Sequence, residues 1–312
     1  MSELILHHYD FSNFSEKIRL IFGLKKLAWH SVEIPSHLPK PNYTPLTGGY
    51  RRTPALQIGA DVYCDTHLIA RELESRYPQH SLYGESEQTL NQATSECLAA
   101  WAEGALLWPA ALYITGLHAD KFPKSFHDDR AALHHKPQPS IEAVHNSGLK
   151  YFQEMCVQLA RIEALLAHDK RFLLGDTLTL ADLTVYGAPW LLETVGGKSA
   201  VIDDLPKTRR WLANVAQYGH GNMHVMDANR AISIANDTAP ETPGSSTELP
   251  VGFSLGDSVK VSPRDEHSPA GGKLVAIDEH AIVIRVDNAL VQNIHVHFPR
   301  VGYRLSHAKP KP

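Results

Sequence analysis

Hydrophobic period changes twice along this chain, and each change limits the folds open to it. Over the first eighty residues, short apolar runs at 4–9, 29–34, 55–58 and 62–64 alternate with helical spacing. That spacing covers 15–26, through Ile18, Ile21, Phe22, Leu24 and Leu27, and resumes after Asp65 with Ile69, Leu73 and Tyr77 until Pro78 stops it. A loop rich in Pro and Gly fills 35–52, and Gly59-Ala60-Asp61 turns the third and fourth runs into a hairpin. From residue 86 to 235 the period is helical, clearest at 151–168, where Phe152, Met155, Leu159, Ile162 and Leu166 form one stripe. Thr179-Leu180-Ala181-Asp182 reads as a capping box that opens a helix running through Trp190. Residues 236–250 mix Pro, Gly, Ser, Thr and acidic residues with no apolar period, the composition of a flexible linker. Beyond it five short β runs return between 258 and 305. An open sheet that small would leave two bare edges, so they predict a small closed barrel of the SH3-like kind. The expected division is an α/β region at 1–82, an all-helical region at 86–235, a linker at 236–250 and the barrel at 251–307.

Composition removes several function classes. Of the 312 residues 43% are hydrophobic, which supplies a sizeable core, and 30 basic against 34 acidic residues give no surplus for nucleic acid or anionic lipid. The last 62 residues carry eight basic and six acidic side chains with no interleaved aromatic pattern, so nucleic-acid binding is not expected there either. Cys64, Cys97 and Cys156 are too far apart for a CxxC pair, a four-Cys zinc site or a disulfide framework. The start, MSELIL, has no basic leader or long apolar stretch, and the expectation is a cytoplasmic protein. The stretch 97–117 mimics a membrane span, but Glu103, Gly104 and Pro109 interrupt it, so no membrane insertion is expected. His295 and His297 alternate on one strand and share a face, a spacing used by metal sites. With no Cys or carboxylate nearby in the sequence they are read as an exposed polar face, and no metal is assigned.

Three short segments carry residue types suited to chemistry. Ser12-Asn13-Phe14-Ser15 lies between the first strand and first helix, where unpaired backbone N–H groups and the helix dipole stabilise a thiolate or oxyanion and a Ser12 hydroxyl can donate to it. Either serine also serves as a plain N-cap. Arg52-Thr53-Pro54 enters the third strand. A cis peptide there would turn the Thr53 backbone outward to pair with an extended ligand, and a trans proline would simply start the strand. Asp65-Thr66 opens the next helix, offering a hydroxyl and amides to a carboxylate and a carboxylate to an ammonium group, or again only a cap.

In combination, HHYDFSNFSEKIRLIFGLKKL, RRTPALQIGADVYCDTHLIARELESRYP and FLLGDTLTLADLTVYGAPWLL resemble the glutathione S-transferase family over three quarters of the chain, about residues 4–235. The resemblance implies a thioredoxin-like α/β domain, an all-α second domain and glutathione as cosubstrate. Ser12 stands where serine-type, theta- or zeta-like members place the residue that donates to the glutathione sulfur. Pro54 matches the family's cis-proline, with Thr53 offering backbone bonds to the cysteinyl part, and Asp65 and Thr66 stand where an acidic/hydroxyl pair holds the γ-glutamyl end. Thr179 and Asp182 match a folding signature. SNFS contains no cysteine, which argues against thiol exchange through this loop and against the serine-serine-cysteine signature of maleylacetoacetate isomerases. The glycyl contact has no placed partner: Arg51 or Arg52 supplies it, or each forms a solvated charge pair. Tyr9 and Ser15 stand as alternative hydroxyls.

The resemblance implies a glutathione-dependent transferase or isomerase acting on a small hydrophobic electrophile held between the first two domains, and a homodimer. Trp101, Trp108 and Tyr113 either line that cleft or pack in the helical core, and helix aromatics usually pack. A non-catalytic adaptor whose barrel recruits a protein partner is the competing expectation, since fold does not fix function.

Overall fold

The computed structural model describes residues 3–84, 88–197, 200–244, 249–265 and 269–308. Its first part is the expected thioredoxin-like unit: β1 (Leu4–His8), α1 (Asn13–Leu24), β2 (Ala28–Glu33), β3 (Ala55–Ile58), β4 (Asp61–Cys64) and α2 (Thr66–Arg76). β1 runs parallel to β2 and antiparallel to β3, and β3 and β4 form the hairpin. All five residues of β1 are buried, as a central strand covered on both faces requires.

The helical part holds α3 (Gln88–Trp101), a π-helical turn (Ala102–Leu106) and α4 (Leu107–Leu117) as one continuous run. By length and composition Gln88–Leu117 passes as a membrane span. Here it packs within the fold: Gly116 meets Gly148 so closely that a Cβ on Gly116 would lie 2.5 Å from the Gly148 Cα. Then follow α5 (Lys124–Leu133), α6 (Ile141–Leu149), α7 (Phe152–Leu165), α8 (Leu180–Val185), α9 (Gly187–Thr194), α10 (Ala200–Asp203) and α11 (Pro206–Ala216). The helix expected through Trp190 is therefore two helices meeting at Tyr186. Asp182 braces their start: buried, it accepts from the Thr179 N–H and hydroxyl, the Leu173 N–H and the Trp211 indole N–H.

Two features depart from the expected division. The helical run does not continue to 235, because β5 (Asn222–Val225) returns to pair in parallel with β2 before α12 (Ala228–Asp237). The C-terminal β6 (Ser258–Pro263), β7 (Ala270–Ile277), β8 (Ala281–Val286), β9 (Ile294–Pro299) and β10 (Tyr303–His307) form a small antiparallel domain whose last strand returns to its first. That domain also joins the first one, because β9 pairs in parallel with β4. The result is a ten-stranded sheet in the order β10-β6-β7-β8-β9-β4-β3-β1-β2-β5.

Two hydrophobic cores follow. Leu4, Leu6, Leu56 and Ile58 face α1, α2 and the helical part. Ile5, Val32, Tyr43, Tyr50, Val62 and Cys64 share the second core with Ala231 and Ile232 of α12 and with Val259, Ile284, Val296 and Phe298 of the β domain. A thioredoxin-like sheet needs cover on both faces, and no helix lies between β2 and β3 to give it, so the C-terminal residues take that place. Gly48 shows how close the approach is. Its φ is +67°, a Cβ there would lie 2.9 Å from a Val286 methyl, and its carbonyl accepts from the Gly271 N–H at 2.8 Å.

The linker expected at 236–250 includes 245–248, which lie outside the described residues, as do residues 85–87 at the start expected for the helical region. Of the remainder, α12 extends to Asp237, and Glu241 is fastened by its N–H to Asp61 and by its carboxylate to Arg76. The exposed polar face expected for His295 and His297 is overturned. Both are largely buried at the β4–β9 seam, His297 Nε2 lying 2.7 Å from Asp61 Oδ1 and its ring stacking on Tyr63. Sequence distance hid the carboxylate, which comes from β4.

Candidate active site

Strand register gathers the three segments. His7 pairs with Ala55 and Ala55 with Cys64, so the end of β1, the start of β3 and the end of β4 lie side by side. Ser12 follows the first, Thr53-Pro54 precedes the second and Asp65-Thr66 follows the third, at one end of the sheet. The Thr53–Pro54 peptide is cis.

Ser12 is the N-cap of α1, its Oγ accepting from the Ser15 N–H at 3.2 Å. Capping uses an acceptor lone pair and leaves the hydroxyl proton, so the cap and a donor role are compatible. Ser15 is wholly buried, its Oγ without a hydrogen-bond partner among the described residues. Tyr9 is half-buried, with the Lys40 ammonium 5.7 Å from its ring centre. Cys64, beside Asp65, is fully buried and burial pushes its thiol pKa well up, so it supplies no thiolate.

Asp65 caps α2 by accepting from the His67 N–H at 3.0 Å, in a backbone conformation with φ +76° that non-glycine residues rarely adopt. Its second oxygen, Oδ2, accepts from the Tyr303 hydroxyl at 3.0 Å. Thr66 Oγ1 accepts from the Lys17 ammonium at 3.3 Å, keeping its own proton to donate. Lys17 also pairs with Glu103 at 3.1 Å, and the other Glu103 oxygen lies 3.1 Å from His67 Nε2. Burial alone would raise the Glu103 carboxyl, but Lys17 and His67 outweigh it and bring the pKa down to about 2. Beside this group Asn13, Phe14, Lys17, Glu103, Leu107 and Thr184 enclose a niche of about 10 Å³, room for one water. The π-helical turn carries Glu103 to this position, a local irregularity that apolar spacing does not announce.

At the cis-proline, Lys40 is buried and donates to the Arg51 carbonyl and the Thr53 hydroxyl, each at 3.0 Å. Arg51 pairs with Asp129 of α5, and Arg52 with Asp265 in the loop after β6 at 2.7 Å. Both arginines are thus held in charge pairs. The aromatic wall between the α/β and helical parts is a chain of neighbours: Tyr9 to Phe11 at 4.7 Å, Phe11 to Phe122 at 6.2 Å and Phe122 stacked on Phe126 at 4.9 Å. Trp101 instead bonds Gln158 and Tyr113 packs on Phe152, while Trp108 is 53% exposed. Lys40, Glu103, Phe122 and Tyr303 were not singled out in the sequence as site residues. Each reaches the site from a separate element, and no local spacing marks them.

Comparison with known proteins bears on the family. Residues 6–81 match the family model for the glutathione S-transferase N-terminal domain and residues 131–218 that for the C-terminal domain. No functionally curated protein matches the chain. Among solved structures, a GST-like protein from Pseudomonas syringae is 33% identical, with a TM-score of 0.78 over 99% of this chain and 100% of that one. A glutathione S-transferase from Rhodospirillum rubrum, 19% identical, covers 68% of this chain and 87% of its own at TM-score 0.52. One from Sinorhizobium meliloti, 16% identical, covers 69% and 88% at TM-score 0.54, and these two show the fold alone. With the domain models, the relative identical at a third of its positions over nearly the whole chain places the protein: it belongs to the glutathione S-transferase family.

Proposed function

We propose that the protein is a serine-type glutathione transferase or isomerase that activates the glutathione thiol for attack on a small hydrophobic electrophile. The observation that carries this is the convergence of Ser12, Thr53-cis-Pro54 and Asp65-Thr66 at one end of the sheet, three segments with complementary donors and acceptors for one extended tripeptide. Thr66 and the α2 N-terminus take the glutamyl carboxylate, Asp65 takes its ammonium, and the Thr53 backbone takes the cysteinyl unit. Ser12 donates to the sulfur while the positive end of α1 favours the thiolate. Bound glutathione supplies the nucleophile. The aromatic chain from Tyr9 to Phe126 forms the apolar side of the cleft for the electrophile.

The reading places the protein in the cytoplasm as a homodimer. A stripe of exposed residues along α3, the π-helical turn and α4, Leu90, Ala93, Cys97, Ala100, Gly104 and Trp108, supports the dimer. The small β domain has the last-to-first strand return of an SH3-like barrel, and its contacts to Asp65 and Arg52 support a role beside the site.

Calorimetric titration with reduced glutathione tests the reading, with Thr66→Ala and Ser12→Ala alongside. Saturable binding weakened by Thr66→Ala is expected. Ser12→Ala also removes a helix cap worth about 1 kcal/mol, so its effect is read from the ultraviolet absorbance of bound thiolate against pH, not from activity alone. The thiol is expected to ionise about one pH unit higher or more in the variant. An unchanged profile would strip Ser12 of its role, and no binding at millimolar glutathione would end the proposal.

A further inference from the structure

We propose that Tyr303, from the C-terminal β domain, is a positioning residue of the glutathione site that holds the Asp65 carboxylate for the ligand's α-ammonium group. This rests on the reading of Asp65 and Thr66 as the glutamyl end of the site, and adds a residue from a domain outside the two matched family models.

The geometry is a short relay. Tyr303 OH lies 3.0 Å from Asp65 Oδ2 and 2.9 Å from Tyr50 OH. A carboxylate only accepts, so the single Tyr303 proton points to Asp65, and Tyr50 donates to Tyr303. Both rings are buried and their hydroxyl pKa values are raised well above the ordinary range, chiefly by burial, so both protons stay in place. Phe298 packs at 5.5 Å from Tyr50 and 5.9 Å from Tyr303, which fixes the rings.

Asp65 needs such a hold. Its backbone sits in a rare conformation, and one oxygen is already committed to the His67 N–H of the helix cap. Tyr303 fixes the other oxygen, and with two of the roughly four acceptor sites used, the remainder stay available to an ammonium group. The same domain reaches the cis-proline loop through the Arg52–Asp265 pair, so it touches the site at two of its three segments.

The test compares the full-length protein with Tyr303→Phe, binding either reduced glutathione or glutaryl-cysteinyl-glycine, which lacks only the α-amino group. A hydrogen bond to a charged group is lost, so glutathione affinity is expected to fall roughly ten-fold, with kcat at saturating glutathione within about two-fold. The analogue is expected to bind both proteins equally. A merely structural tyrosine would weaken both ligands alike, and that result overturns the proposal. Unchanged or tighter glutathione binding by Tyr303→Phe overturns it as well, the latter making the hydroxyl a competitor of the ammonium. If the wild-type protein binds neither ligand, the glutamyl reading fails and the proposal falls with it. Should Tyr303→Phe not fold, Tyr50→Phe is expected to give a smaller loss of the same ammonium-specific kind, and equal loss on both ligands, or none, refutes it.

Discussion

Adjacent histidines on the central strand make the fold acid-sensitive in a defined window. His7 is buried toward the second core with Nε2 2.8 Å from Gln57 Oε1. The Gln57 amide N–H groups go to the Gly59 and Ala231 carbonyls, so Gln57 accepts and His7 donates. His8 is buried on the other face, its Nδ1 3.2 Å from an Arg19 N–H and its Nε2 2.8 Å from Ser31 Oγ. Arginine only donates, so Nδ1 carries no proton and His8 is neutral. Burial lowers both pKa values to about 4, helped for His8 by Arg19. The unfolded chain binds these protons near pH 6.5 and the folded chain only near 4, so unfolding takes up protons and stability falls with acid between those limits. Each site is worth on the order of 3 kcal/mol across the window, against a total of roughly 5–15 kcal/mol for a folded domain. Urea denaturation at pH 7, 6 and 5 is expected to show stability falling by up to about 2.7 kcal/mol per pH unit when both sites titrate. Because buried His295 adds the same sign, the decisive comparison is His7→Gln and His8→Gln, each of which lowers that slope by about one proton. A slope unchanged by either substitution would refute neutral burial of that histidine.

Other consequences follow from single contacts. Glu103→Gln leaves Lys17 and His67 without their anion and, with Glu103 partly exposed, is expected to cost about 1–2 kcal/mol at pH 7. Because the folded pKa of Glu103 is depressed, that difference holds above about 4.5 and closes as pH falls toward 2, which thermal melts of both proteins across pH 7 to 2 will show. Ala100→Arg on the exposed α3 stripe is expected to give a folded monomer in sedimentation, and an unaffected dimer would move the interface elsewhere. Removing residues 238–312 bares the β4 edge and much of the second core. Three newly exposed side chains at roughly 1.5–3 kcal/mol each already approach the total stability, so aggregated or non-cooperative protein is expected. A monodisperse truncated protein with the same melting temperature would refute the shared core.

Local periodicity made the secondary structure readable, and pairing across the chain was not. The five C-terminal strands are visible because Val259, Val261, Leu274, Ile282, Ile284, Val296, Phe298 and Tyr303 put apolar residues where a pleat buries them. β5 is not: all four of its residues, Asn222 to Val225, are exposed, so no burial pattern marks them and it is the pairing with β2 that makes the strand. The linker composition of 236–250 suggested separation, but composition reports the chain between two units and says nothing of whether their sheet edges meet. Val62 and Val296 are each ordinary strand valines, and their pairing is a property of two edges that each leave N–H and C=O groups to satisfy.

The candidate site divides along the same line. Ser12, Thr53-Pro54 and Asp65-Thr66 were legible because their chemistry depends on neighbours one to three residues away: a cap, a strand start and a helix N-terminus. Glu103, Lys40 and Tyr303 act across separations of 86, 13 and 238 residues, where one sequence holds no signal. Tyr303 shows why this matters for function. In the sequence it only starts a short β run, and its value comes from β10 returning to β6 and β9 joining β4, which together bring one hydroxyl to Asp65. The second core and the site are therefore linked. The β domain that closes the sheet against water also holds the carboxylate beside the Thr66 hydroxyl, so a destabilised β4–β9 seam would weaken ligand binding before the fold is lost.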